Sequence, residues 1–402
     1  MKRLAIGLAA GWIAAPSFAA GISVKPLLDT RLRWENVDQD GTAKDADAVT
    51  IRARMGAEFK SGDWSLLGEG ESTVPLVEHY FSGLNGKTQY PIVADPANFE
   101  LNRLQLQYKG IKKTTFTVGR QRINIEDQRF VGSVGWRQNE QTFDAARVEY
   151  GTPKGLQLDL TYAWSDRTIW GIDGKGARQQ AISGDNVFGM ASYPTPIGKL
   201  SVFAFLIDQD EAAVQGFRLS SQTYGARLAG SRPLSKKEKL TYAFSYARQG
   251  DYHRNPNDYH ADYVLAEIGA EISAWKIGMG YELLGADKGV AFTSFQTPLA
   301  TLHKFQGWAD KFLTTPPNGI QDYYGQAGYG WKKVAGLDAI NAQLVYHRFD
   351  SARLGLHYGD EWDALLSAKK GKWTATAKFA SYNADRFATD TRKLWLQLEW
   401  AY

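Results

Sequence analysis

Between Gly119 and Tyr150 the chain reads GRQRINIEDQRFVGSVGWRQNEQTFDAARVEY, a stretch dense in arginine, carboxylate and aromatic residues. Glu126, Asp127, Arg129, Arg137 and Glu140 are the residue types of an acid–base site, in which a carboxylate moves a proton and a guanidinium steadies an oxyanion. Nucleophilic catalysis needs more, a hydroxyl or thiol within hydrogen-bond reach of a base. The chain has no cysteine, which excludes thiol catalysis, thiolate metal ligands, disulfides and a lipoprotein attachment site. Its histidines, His79, His253, His260, His303, His347 and His357, lie mostly in polar segments with no serine elbow or triad spacing. His253 and His260 could hold a metal with Asp251, Asp258 or Asp262, but no second metal-site signature accompanies them. No catalytic residue, metal or cofactor is therefore expected, and the charged residues must be understood from the elements that carry them.

Those elements are strands. Residues 1–19 carry Lys2 and Arg3, an apolar run from Leu4 to Ala15, and Ser17-Phe18-Ala19, the pattern of a cleaved signal peptide. The remainder, 20–402, shows no apolar run long enough for a membrane helix, yet 13% of the chain is aromatic. A net charge of +4 with 22% charged residues is too balanced for a nucleic-acid partner. Exported, aromatic-rich and polar on average is how a transmembrane β-barrel reads, because only every second residue meets lipid.

Period-two alternation supports this. Leu28, Thr30, Leu32 and Trp34 share one face while Asp29, Arg31, Arg33 and Glu35 share the other. Ile51, Ala53, Met55 and Ala57 alternate with Arg52, Arg54 and Glu58, and similar pairs recur to the last segment, where Leu394, Leu396, Leu398, Trp400 and Tyr402 form the lipid face. Short connections near 61–63, 109–113, 151–155, 194–198, 232–238, 332–336 and 369–371 alternate with long ones at 36–48, 73–98, 123–142, 165–186, 208–221, 250–259, 285–320, 350–357 and 383–391. The fold class is thus an all-β transmembrane antiparallel barrel of about 18 strands, with short periplasmic turns and long external loops. No plug or passenger domain is expected, only one barrel domain in the bacterial outer membrane, in contact with its lipid. The terminal aromatic strand ending at Tyr402 resembles the signal read by the barrel-assembly machinery.

A barrel of this size keeps an aqueous lumen unless loops such as 123–142 and 285–320 fold into it, so transport is the default function. Strand phase directs Arg31, Arg33, Arg52, Arg54, Arg103, Arg147 and Arg227 inward, facing carboxylates such as Glu69, Glu71, Asp159, Glu282, Glu361 and Asp363. A concentration of guanidinium groups in a pore attracts anions and pairs carboxylates bidentately, which makes a carboxylated anion the expected solute. Arg120 and Arg122 share the phase of Phe116 and Val118, which face lipid; a bulge at Gly119 is the favoured way to turn them inward, an early exit from the membrane the alternative. Trp34, Trp164, Trp275, Trp373 and Trp400 read as interfacial girdles. Trp136, Trp170 and Trp308 sit in loops and are better placed to meet a solute. In the longest loop Thr297 and Pro298 look like a helix start, and Leu299, Leu302, Phe305, Trp308 and Phe312 recur at helical spacing. An amphipathic lid is expected there, with His303, Trp308 and, from the 123–142 loop, Trp136 and Arg137 as a possible gate.

The runs Gly119-Arg120-Gln121, Arg129-Phe130-Val131-Gly132, Trp136-Arg137-Gln138 and Thr142-Phe143-Asp144-Ala145 resemble the alginate export family of outer-membrane porins. Phe295 to His303 and Gly307-Trp308-Ala309-Asp310-Lys311-Phe312 resemble a second stretch of that family. The resemblance implies a monomeric barrel passing an anionic polyuronate, with Arg120, Arg129 and Arg147 on a basic pathway. The loops are short for a dedicated alginate exporter, so the resemblance supports a porin more strongly than alginate itself. The rival readings are a general or differently selective diffusion porin, a structural or adhesive barrel, and an outer-membrane barrel enzyme.

Overall fold

In the structure, a computed structural model describing residues 21–402, the alternating pattern becomes strands whose large apolar side chains point away from the interior. Met55 and Phe99 are 62% and 74% exposed while Arg52 and Glu71 are 0% and 1% exposed. That is the inverse of a soluble sheet and the expected state of a wall immersed in hydrocarbon. The expected signal segment 1–19 and residue 20 lie outside the described residues.

Eighteen antiparallel strands run in chain order: β1 (Ile22–Gln39), β2 (Ala46–Ser61), β3 (Trp64–His79), β4 (Asn98–Tyr108), β5 (Thr114–Gln121), β6 (Thr142–Gly151), β7 (Gln157–Arg167), β8 (Ala181–Thr195), β9 (Gly198–Ile207), β10 (Ser221–Pro233), β11 (Glu238–Asp251), β12 (His260–Ile272), β13 (Trp275–Leu284), β14 (Ile320–Val334), β15 (Leu337–Asp350), β16 (His357–Lys370), β17 (Trp373–Ala384) and β18 (Thr391–Ala401). Each pairs with its sequence neighbours, and β1 pairs with both β2 and β18, so the sheet closes without a free edge. Among the described residues no helix is long and apolar enough to cross a membrane; crossing is by strands. The short connections include one that the sequence pattern did not mark, residues 273–274 between β12 and β13. The five girdle tryptophans all stand on outward phases, with Trp275 packed edge-on to Tyr329 and Trp373 near Trp400. At the long-loop end the Tyr162, Tyr246 and Tyr346 hydroxyls donate to Asp185, Asp262 and Asp360, tying the outer ring to the loop bases.

One expectation about this frame needs correction. The bulge at Gly119 is absent: β5 pairs with β4 and β6 in unbroken register. Arg120 therefore stays on the phase of Phe116 and Val118, outside the lumen, where Asp144 neutralises it at 2.8 Å and the Leu101 carbonyl accepts at 2.9 Å. Arg122 lies past the end of β5 and reaches inward to Glu140 and Glu69. The lumen is not uniformly wet. Phe188, Phe203, Phe205, Tyr263 and Trp395 are buried on inward phases, because two loops fold into the barrel and cover them.

Candidate functional site

The first of these is L3, residues 122–141, and the arginines of β1 and β2 form its socket. Arg31 donates from Nη1 to the carbonyls of Gly135, Trp136 and Arg137 at 3.2, 3.0 and 3.3 Å. Arg33 donates to the Trp136 carbonyl at 2.5 Å and lies 4.2 Å over that indole ring. Arg54 reaches the Gln138 carbonyl and pairs with Glu71 and Glu140. Arg31, Arg33, Arg52 and Arg54 are at most 7% exposed, so they do not face passing solute. They stand on the inner wall, where Arg31, Arg33 and Arg54 are engaged by L3 and by Glu399, Asp95 and Glu71, while Arg52 pairs with Asp29 and keeps its Nε and Nη1 buried without a hydrogen-bond partner. Arg103 and Arg147 are likewise closed in ion pairs with Glu69 and Asp159.

The second ingrown loop is L7, residues 285–319, and Arg129 joins it to L3. Its guanidinium is 1% exposed and contacts Glu282 at 2.6 Å, Thr297 Oγ1 at 3.0 Å and Gln306 Oε1 at 3.2 Å. Burial opposes its charge, and Glu282 more than compensates, holding its pKa above the ordinary arginine value. Next to it Phe130 is wedged among Phe203, Phe205, Tyr263 and Phe295. The expected amphipathic helix in L7 is not formed; only Leu302–Lys304 makes a 3-10 turn. Gln306, Gly307 and Asp310 adopt left-handed φ of 49°, 77° and 62°, which breaks a helix. The apolar side chains instead find separate partners: Phe305 against Arg129, Trp308 against Lys378, and Phe312 against Phe349 and Tyr382.

Where the two loops meet, the lumen narrows. The His303 ring stacks on Trp136 with centroids 4.8 Å apart, and Trp395 meets both edge-on. Lys378 Nζ lies 3.8 Å from the Trp308 centroid and 4.3 Å from that of Trp136, and donates to His303 Nε2 at 2.6 Å. His303 Nδ1 donates to Asp310 at 2.7 Å. Burial, reinforced by Lys378, holds the His303 pKa well below its usual value, so the ring is neutral and can accept from the lysine. Burial alone would lift the Asp310 carboxyl; the His303, Lys393 and Arg137 donors hold it well below the usual carboxylate range. Backbone amides of Trp308 and Ala309 are clamped by Asp363 and Glu361 at 3.2 and 2.7 Å.

This turn separates two chambers that share no lining residue among those described. The outer chamber, about 550 Å³, is bordered by the basic residues Arg137, Arg178, Lys311 and Lys393 against Asp166 and Asp310, with Trp170 at its side. The inner one, about 410 Å³, is mixed: Arg227 and Lys304 face Asp127, Glu267, Glu282 and Asp322. Lys311 is bonded to Gln39 at 3.1 Å, and burial, aided by neighbouring Lys393, lowers its pKa to about 8. Raising pH from 7 to 9 is therefore expected to remove this charge and weaken anion preference, read as a shift in zero-current potential across a KCl gradient. Lys311→Met should abolish the pH step; a step of the same size in that variant would assign it elsewhere.

A family model described as alginate export matches residues 76–364. The chain belongs to the alginate export family. It is an outer-membrane porin-type barrel, and the family points to a transport channel rather than an enzyme. No curated protein sequence matched. Among solved structures, Acinetobacter baumannii OccAB4 is similar with a TM-score of 0.70 at 16% identity, over 95% of this chain and 99% of that one. Pseudomonas aeruginosa OccK9 (OpdG) gives 0.70 at 15% identity, over 94% and 98%. Pseudomonas aeruginosa OpdK, solved with vanillate, gives 0.67 at 13% identity, over 94% and 98%.

In this barrel Trp136, Arg137, His303 and Trp308, the residues expected from sequence as a possible gate, lie together where L3 meets L7. Of the expected pathway arginines, Arg227 borders open space and Arg120 lies outside the lumen. The sequence reading missed Lys378, Lys393 and Trp395, although all three lie on the inward phase of β17 and β18. His253 and His260 do not converge: His253 pairs with Asp208 at 3.4 Å and the His260 amide donates to Asp287. No group of three or more candidate metal ligands occurs among the described residues.

Proposed function

We propose that the protein is a selective diffusion porin for small carboxylated solutes, of which a uronate-type saccharide is the best fit. It works as a monomer whose last strand, ending at Tyr402, is read by the assembly machinery. The observation that carries this reading is the charge bordering the outer chamber: four cations, Arg137, Arg178, Lys311 and Lys393, against two carboxylates, Asp166 and Asp310. Cations gathered at a narrow, partly dehydrated passage concentrate anions and repel cations. Chambers of 410 and 550 Å³ match small-molecule sites, roughly 300–1,000 Å³, which favours short uronates over a polymer. On the inner side Arg227, paired with Asp127, and Lys304 are the cations a passing anion would meet among Glu267, Glu282 and Asp322. Arg129, at most an electrostatic contributor from behind the wall, holds the loops.

A second reading, an aromatic carboxylate, is favoured by the structure of OpdK with vanillate and by the tryptophans at the constriction. Competition for single-channel current decides between them. Galacturonate and its short oligomers are expected to interrupt ionic current at lower concentration than vanillate, and galactose to leave it unchanged. Equal interruption by galactose would contradict carboxylate selection.

A further inference from the structure

We propose that the floor of the outer chamber is a carboxylate-binding site now occupied by the protein's own Asp310, and that a solute carboxylate opens the channel by displacing it. The inference rests on the porin reading above. Asp310 receives Arg137 Nη2 at 2.8 Å, Lys393 Nζ at 2.9 Å and His303 Nδ1 at 2.7 Å, the donor set that would hold a carboxylated ligand. All four residues border the chamber, and Lys311 adds a further cation there with an amide oxygen, not a carboxylate, as its hydrogen-bond partner. The donor set is also incompletely used. Arg137 is 5% exposed, and its Nη1 has no hydrogen-bond partner, although Glu35 stands nearby with neither carboxylate oxygen hydrogen-bonded.

The geometry also couples the site to the constriction. Asp310 ends the segment from Leu302 that divides the chambers, and through His303 it reaches Lys378 inside its tryptophan cage. Its backbone is left-handed at φ 62°, and Gln306 and Gly307 are left-handed as well. Side chains other than glycine hold that conformation when surrounding contacts impose it. Three polar contacts on one carboxylate supply such a constraint at this end of the segment. An external carboxylate that takes over Arg137 and Lys393 removes the constraint, frees the segment and opens the passage between chambers. The ligand thereby stabilises the open state by its greater affinity for it.

Bilayer recordings with galacturonate and galactose test this, with folding verified by heat-modifiable electrophoretic mobility. In the wild type, galacturonate should lengthen the open periods, within which it also produces the brief interruptions expected of a passing solute, and galactose should do neither. Asp310→Asn should open without solute, by roughly fivefold or more, the lower end of ordinary site-to-site coupling, and should respond no further to galacturonate. Lys393→Met, which removes one holder and one ligand donor together, should raise basal opening and weaken the response. Basal opening unchanged in both variants, or full activation of Asp310→Asn by galacturonate, would overturn the inference. An anion-selective wild type whose opening ignores galacturonate sinks the displacement site and leaves the porin reading standing; a cation-selective channel sinks both.

Discussion

Replacing Arg129 with methionine is expected to unlatch both ingrown loops while leaving the barrel closed. The guanidinium spans L3 and L7, and its removal leaves Glu282, 3% exposed, as a buried charge without its counter-ion. Breaking one half of a buried pair costs about 3–5 kcal/mol. The loss falls on the loop contacts: Thr297 and Gln306 lose a donor, and Phe305 loses the cation 4.7 Å above its ring. The wall itself keeps its strand ladder. Limited trypsin digestion of the folded barrel should then cut readily within residues 285–319 of Arg129→Met and slowly in the wild type. The double change Arg129→Met with Glu282→Gln should recover most of the protection, because it leaves no unpaired charge. Equal digestion of wild type and single variant would show that Arg129 does not hold the loops.

Excising the turn of L7 is the second large change. Gln296 and Thr315 form a neck, bonded side chain to backbone at 3.0 and 3.2 Å, and Gln296 is anchored to Gln249 of β11 at 2.7 Å. A short glycine linker in place of residues 297–314 can bridge that neck without disturbing β13 or β14. It removes His303 from Trp136, Asp310 from Arg137 and Lys393, and the partition between the chambers. Conductance should rise severalfold, since L7 no longer partitions the lumen and only L3 remains inside the wide 18-strand wall. Selectivity should fall at the same time, because the remaining cations face an unconstricted, well-screened pore.

The barrel was legible because lipid imposes a strict rule. Outward residues must be apolar, so period-two alternation and the ordering of short and long connections carried strand count, closure and topology. The site was legible only in part. Phase put Arg31, Arg33, Arg52 and Arg54 on the inner wall, but phase is silent about what stands in front of a wall, and L3 stands there. A signal for the loop was nonetheless present: Phe188, Phe203, Phe205, Tyr263 and Trp395 fall on the supposedly wet face. Apolar side chains on that face require a cover, and residues 122–141 and 285–319, the two longest connections, supply it. The helical spacing in L7 misled for a related reason. Its apolar residues are fixed by partners on several different strands, and left-handed residues at 306, 307 and 310 turn the chain from one to the next. At Gly119, positive φ of 107° reflects close approach to the Leu104 carbonyl and not a slipped register.

The central claim is that the meeting of L3 and L7 selects anions. Its most direct test is the zero-current potential of the wild-type channel and of the 297–314 excision across a KCl gradient. An anion-selective potential in the wild type that collapses toward zero in the excised channel is expected. A cation-selective wild type, or an excised channel with undiminished anion selectivity, would contradict it.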